Sequence, residues 1–140
     1  MTSRFIKIGN DGSRLAPDAT QWGAVLDATT GLMWDAKARR VENFQAAQTL
    51  PGTLNVAGFT DWRAPTVEEL FCLADRRRAY PVIDTYFFPD TPSERFWASD
   101  GWAPAHAGCA WIVHFGGGSS YWVSCGAAGF VRAVRDGGGR

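Results

Sequence analysis

Glycines cut the second half of the chain into short, bulky runs, and this pattern constrains the fold more than any other feature. Phe96-Trp97, Ala110 to Phe115, Tyr121 to Cys125 and Phe130 to Val134 are each too short for an ordinary helix and rich in aromatic and β-branched residues, so they read as strands. In Cys109 to Phe115 the odd positions carry Cys109, Trp111, Val113 and Phe115, one large apolar face, while the even positions carry Ala110, Ile112 and His114. The stretch Gly116-Gly117-Gly118-Ser119-Ser120 joins two of these runs as a hairpin. A turn centred on Gly117 would set Cys109 opposite Cys125. Both cysteines read as small buried hydrophobes before they read as a disulfide.

The first half mixes strand and helix signals. Phe5, Ile6 and Ile8 precede a turn at Asn10-Asp11-Gly12, and Ala24 to Asp27 leads through Thr30-Gly31 into Leu32-Met33-Trp34. Val41, Phe44, Ala47 and Leu50 have helical spacing, closed by Pro51-Gly52. A firmer helix start follows Pro65, where the Thr66 hydroxyl and the Glu69 carboxylate form a capping box ahead of the stripe Val67, Leu70, Phe71 and Ala74. Arg76, Arg77 and Arg78 are expected in its last turn, offsetting the helix dipole. Just upstream, Asp61 and Arg63 lie on one side of an extended segment and Trp62 on the other. Asp61 and Arg63 are expected to satisfy loop backbone or to pair with Arg132 or Asp100.

At 140 residues the chain has the length of one domain, roughly 100–200 residues. We expect a single unit over 1–135 with a frayed tail at 136–140. Fourteen basic residues balance fourteen acidic ones, so no global field draws in nucleic acid or an anionic membrane. Arg39-Arg40 and Arg76 to Arg78 are the local basic patches, and binding that fell steeply with salt would point to them. Nucleic acid is expected only as part of a nucleoprotein target. The residues after Met1 lack the apolar core of a signal peptide, and three cysteines without framework spacing suit a reducing compartment. The expected location is therefore cytoplasmic, or the cell surface or a virion if another route exports the chain.

Several segments, in this order, resemble the Lcl C-terminal family, named for the C-terminal domain of a bacterial collagen-like adhesin. They are Val25 to Trp34, Gly58 to Leu70 with its Asp61-Trp62-Arg63-Ala64-Pro65 core, Phe96 to Ser99, Ala110 to Phe115, and Tyr121 through Arg135. The resemblance implies an α+β, C-type-lectin-like fold related to formylglycine-generating enzymes: two short helices on a twisted, mostly antiparallel sheet with long ordered loops. The closing Gly129 to Arg135 is similar to the final strand of that wider group. Where true C-type lectins carry a calcium-binding Trp-Asn-Asp strand, this chain reads Trp111-Ile112-Val113, and the calcium site looks absent. Asp84, Asp90, Glu94 and Asp100 leave room for a hard cation held by oxygens.

Chemistry finds little support. The only histidines, His106 and His114, are eight residues apart, with no Cys-x-x-Cys or His-x-x-x-His nearby, so zinc is not expected. A thiol-dependent oxidoreductase reading would combine Cys109 or Cys125 with His114, but no third, orienting group stands at recognisable spacing. No catalytic residue, metal or cofactor is assigned. The expectation is a binding module, because Trp, Tyr and Arg are the residue types that most often anchor partners. The candidate contacts are Trp97, Asp100, Trp102, His106, Tyr121 and Trp122, on loops between residues 97 and 128. Trp34, Trp62 and Trp111 read as framework. Two partner classes compete: a protein or carbohydrate met in an adhesin-like role, and an intracellular protein or nucleoprotein complex bound by a small phage- or mobile-element-encoded inhibitor.

Overall fold

The computed structural model describes residues 4–100 and 108–137, with Cys109 described by its backbone. In chain order the elements are β1 (Phe5–Ile8), β2 (Ala24–Asp27), β3 (Leu32–Asp35), β4 (Arg39–Val41), α1 (Phe44–Thr49), α2 (Val67–Leu73), β5 (Arg95–Trp97), β6 (Cys109–His114), β7 (Ser120–Ser124), β8 (Gly129–Val131) and β9 (Val134–Asp136). The fold is α+β with two short helices, but it has two sheets where one was expected. The first runs β1-β2-β3-β9 and the second β4-β8-β5-β6-β7. Every neighbouring pair is antiparallel except β5 and β8, which are parallel.

The two sheets arise because the closing run is not a single strand. Gly129–Val131 pairs with β4 and β5, the chain steps across at Arg132-Ala133, and Val134–Asp136 pairs with β3. Arg132 pins that step from inside the protein, where it is 1% exposed. Its Nη1 donates to the Asp35 carbonyl at 2.9 Å, its Nη2 donates to Thr91 Oγ1 at 2.7 Å, and its guanidinium lies 4.8 Å from the centre of the Phe88 ring. Burial pulls its pKa down to about 10, so it stays charged at neutral pH.

Side-chain alternation decides which face of the first sheet meets which core. Val25, Trp34 and Val134 share one face and join Leu70 and Leu73 of α2 and Phe96 and Val113 of the second sheet in the largest cluster. Ile8, Leu26 and Met33 take the opposite face against Ala57, Trp62 and Ala133. Lys7 falls on the inner face yet is 2% exposed. Its ammonium donates to the carbonyls of Pro17 (2.8 Å) and Ala19 (2.6 Å) and to Tyr86 Oη (3.1 Å), while lying over the Trp22 and Tyr86 rings. Full pairing is what makes a buried ammonium tolerable.

Strand β6 is buried on both faces. Val113 and Phe115 enter the largest cluster, and Ala110 and Ile112 enter a third one with Val41, Ala47 and Trp97. The even positions, read as the lesser face, are therefore core as well.

Several local expectations change. Val41 is held in β4 opposite Gly129, so α1 starts after Asn43, whose Oδ1 accepts from Ala46 N at 2.8 Å. Pro51 and Gly52 do not stop the chain's winding but lie in a 3-10 turn, Leu50–Thr53, since proline is tolerated at a first helical position. The Thr66–Glu69 capping box is present. Arg76 to Arg78, however, lie beyond α2. The Asp75 amide bonds to the Val82 carbonyl at 2.6 Å and draws the chain away after Ala74, and Arg77 and Arg78 pair with Asp75 instead of with helix carbonyls. At the other end of the chain, Asp136 pairs with Leu32 and the Gly137 amide donates to Gly31 O, so the fraying expected from residue 136 is not seen there.

Candidate functional site

The β6–β7 hairpin carries two of the four predicted contact residues that fall within the described part, Tyr121 and Trp122. Its register, Val113 with Ser120 through Cys109 with Ser124, places the turn between Gly116 and Gly117. Cys109 is therefore opposite Ser124, one position from the expected Cys125. Three bonds close the loop: His114 N to Ser119 O, Gly118 N to His114 O, and Gly116 N to His114 Nδ1 at 3.0 Å. Gly118 has φ +85, a conformation glycine adopts without strain. The loop is clamped from outside, as Tyr80 N donates to Gly116 O and Val82 N to Phe115 O.

Strand β7 is an edge of the second sheet. Trp122 stands opposite Trp111, and their rings meet edge to face at 5.3 Å and 86°. Trp111 is only partly buried against the core, a correction to its reading as plain framework, and it props Trp122, which is 43% exposed. Tyr121, opposite Ile112, is 39% exposed and belongs to the other face of the same strand. The hairpin thus displays two aromatic rings back to back. No charged residue occurs in Ser120–Ser124.

The other candidates divide. Trp97 is not a surface residue: it is fully buried in β5 against Phe44, with ring centres 5.6 Å apart. A three-residue strand between β8 and β6 leaves its side chain no route to solvent. Asp100 accepts from Val67 N at 2.8 Å, helping to cap α2. Trp102 and His106 lie outside the described residues. The Asp61-Trp62-Arg63 segment alternates as expected, with Trp62 buried and both charged residues exposed, but its partners differ. Asp61 accepts from Arg135 Nε at 2.6 Å, and Arg63 makes two 2.8 Å bonds to Glu69 and approaches Asp136 at 3.5 Å. Arg132, being buried at the step between sheets, reaches neither Asp61 nor Arg63. The Asp61 and Glu69 carboxyls are held below their ordinary range, chiefly by hydrogen bonds from Arg135 and Arg63 respectively.

Sequence reasoning missed two exposed aromatics, Tyr80 (77%) and Tyr86 (56%). Tyr80 holds a left-handed backbone, φ +53, which is costly for an aromatic residue. Its position before Pro81 was a readable loop signal. Tyr86 is committed to structure, donating to Pro17 O at 2.8 Å. Among the described residues no group of three or more His, Cys, Asp or Glu side chains is arranged to hold a metal ion. None of the described helices is long and apolar enough to cross a membrane.

Residues 23–135 match the family described as the Lcl C-terminal domain. The chain belongs to that family. The match runs from just before β2 into β9, so the Lcl C-terminal domain takes in the five-stranded sheet, all of the four-stranded sheet but β1 and the end of β9, the capped helix and the β6–β7 hairpin. Strand β1 precedes it, although it pairs along the whole of β2. No curated protein matches the chain.

Proposed function

We propose that the chain is a non-enzymatic recognition module with a C-type-lectin-like arrangement, adhesin-like in role, that holds a protein or carbohydrate partner at the β6–β7 hairpin. The observation that carries this reading is the Trp111–Trp122 pair: a large ring, nearly half exposed, held rigid on a charge-free edge strand by a second ring anchored in the core. A pre-positioned aromatic loses little conformational freedom on binding, and tryptophan is a favoured anchor at interfaces. Such rings also stack on the apolar faces of sugars. Trp102 and His106, which precede β6 in the sequence, are aromatic residue types of the same kind.

The test is to probe the intact protein against a glycan array and a panel of purified cell-surface proteins, alongside Trp122→Ala and Trp102→Ala. The reading expects one partner class bound by the wild type, with affinity down about ten-fold or more for Trp122→Ala, the loss typical of one anchor residue. Retention of the same partners at equal affinity by Trp122→Ala overturns it, as does failure of the wild type to bind either panel.

A further inference from the structure

A second candidate site lies away from the hairpin, where the end of α2 meets β1. A cavity of about 610 Å³ opens there, within the roughly 300–1,000 Å³ typical of small-molecule sites. Phe5, Leu73 and Phe87, all largely buried, line it together with the partly buried Phe71. Arg4 and Phe5 precede the span matched to the family, so part of this cavity is built from sequence outside that match.

The charges at its mouth can be paired off one by one. Arg4 is spent on Asp27 through bonds of 2.9 and 2.6 Å. Arg77 and Arg78 both bond Asp75 at 3.1 Å, and Arg78 also lies 3.7 Å from Asp84. Two guanidiniums thus face two carboxylates and cancel. Arg76 is left over. Its guanidinium sits 5.6 Å from the centre of the Phe71 ring and has no acidic partner among the described residues. The mouth therefore carries one uncompensated positive charge, on a planar donor fork steadied by an aromatic ring and next to an apolar floor.

We propose that this cavity binds a small organic monocarboxylate, with its apolar body against Phe5, Phe71 and Phe87 and its carboxylate on Arg76. The guanidinium fork matches a carboxylate with two parallel hydrogen bonds. A neutral ligand leaves Arg76 unmatched. A phosphate dianion brings one charge too many beside Asp75 and Asp84, and Asp75, held at about 2 chiefly by its bond from Arg77, stays ionised throughout the neutral range.

The experiment is an NMR titration of the intact chain with 2-naphthoate, 2-naphthamide and 2-naphthyl phosphate, repeated on Arg76→Gln. Arg76 is exposed and makes no hydrogen bond that the fold needs, so melting temperature should be unchanged in that variant. We expect saturable shifts confined to Phe5, Phe71, Leu73 and Phe87. Naphthoate should bind about ten-fold tighter than the amide, the effect of one charge-assisted pair, and tighter than the phosphate; Arg76→Gln should bind acid and amide alike. Equal affinities in the wild type, tighter binding of the phosphate, shifts elsewhere on the protein, or an acid preference that survives Arg76→Gln would each overturn the proposal.

Discussion

The four-stranded sheet and the outer hairpin of the five-stranded sheet use the same residue types in opposite ways. In and around the first sheet, four charged side chains are buried and hydrogen-bonded: Lys7, Asp27 and Asp35 lie within 2% of complete burial, as does Arg132 at the step into β9. Tryptophans there are buried too, with Trp34 and Trp62 at 1% and 3%. On β7 the charges are gone and the aromatics face outward. A buried charge whose hydrogen-bond partners are in place resists rearrangement because leaving it unpaired is expensive. An exposed ring on an edge strand costs little to change. The comparison separates residues that specify the fold from residues available to a partner.

The largest break in that contrast comes from Arg132. Arg132→Ala leaves Thr91 and the Asp35 carbonyl without their donor and opens a cavity between the sheets, and should cost about 3 kcal/mol or more, a fall of roughly 10 °C in thermal unfolding. Lys7→Met keeps the volume but strands the Ala19 carbonyl, while Pro17 O keeps its bond from Tyr86, for a loss of about 2 kcal/mol seen in denaturant unfolding and in faster proteolysis within residues 13–22. Thr66→Ala removes the cap of α2 and should cost about 1 kcal/mol.

Acid provides the smallest and sharpest distinction. The Asp75 carboxyl is lowered from 3.8 to about 2, first by the hydrogen bond from Arg77. A carboxylate whose folded value lies below its unfolded one contributes stability that is present above the unfolded pKa and lost as pH falls through the folded one. The contribution is therefore complete above about pH 4 and disappears toward pH 2. Asp75→Asn should flatten the acid limb in that window by lowering the melting temperature at pH 7 and leaving it unchanged near pH 2, and the drop should be small because the carboxylate's partners are solvent-exposed. A melting curve equally acid-sensitive in both proteins would remove Asp75 from the account.

Legibility in the sequence followed the range of the interactions. The α+β class, the turns at Thr30-Gly31 and Gly116 to Ser120, and the Thr66–Glu69 box were readable because each is set by neighbours a few residues apart. The outward-facing Tyr121 and Trp122 were readable for the same reason, as they sit just past a glycine-rich turn. Trp97 was misread because its burial depends on β8 and on Phe44, more than 30 and 50 residues away respectively. The split of Gly129 to Arg135 into two strands depends on Arg132 finding Asp35 across the chain, and no local pattern announces that. The one-residue error at Cys109 came from centring the hairpin on a glycine, whereas the Ser119–His114 bond sets the register.

The most direct test of the division of labour compares Trp122→Ala with the wild type in two readouts, thermal unfolding and affinity for the partner that the glycan and protein panels retain. The account predicts a melting temperature lowered by no more than about 4 °C, since an exposed aromatic pair adds only about 1 kcal/mol, together with an affinity loss of ten-fold or more. A melting temperature that falls as far as in Arg132→Ala while partner affinity stands would contradict it.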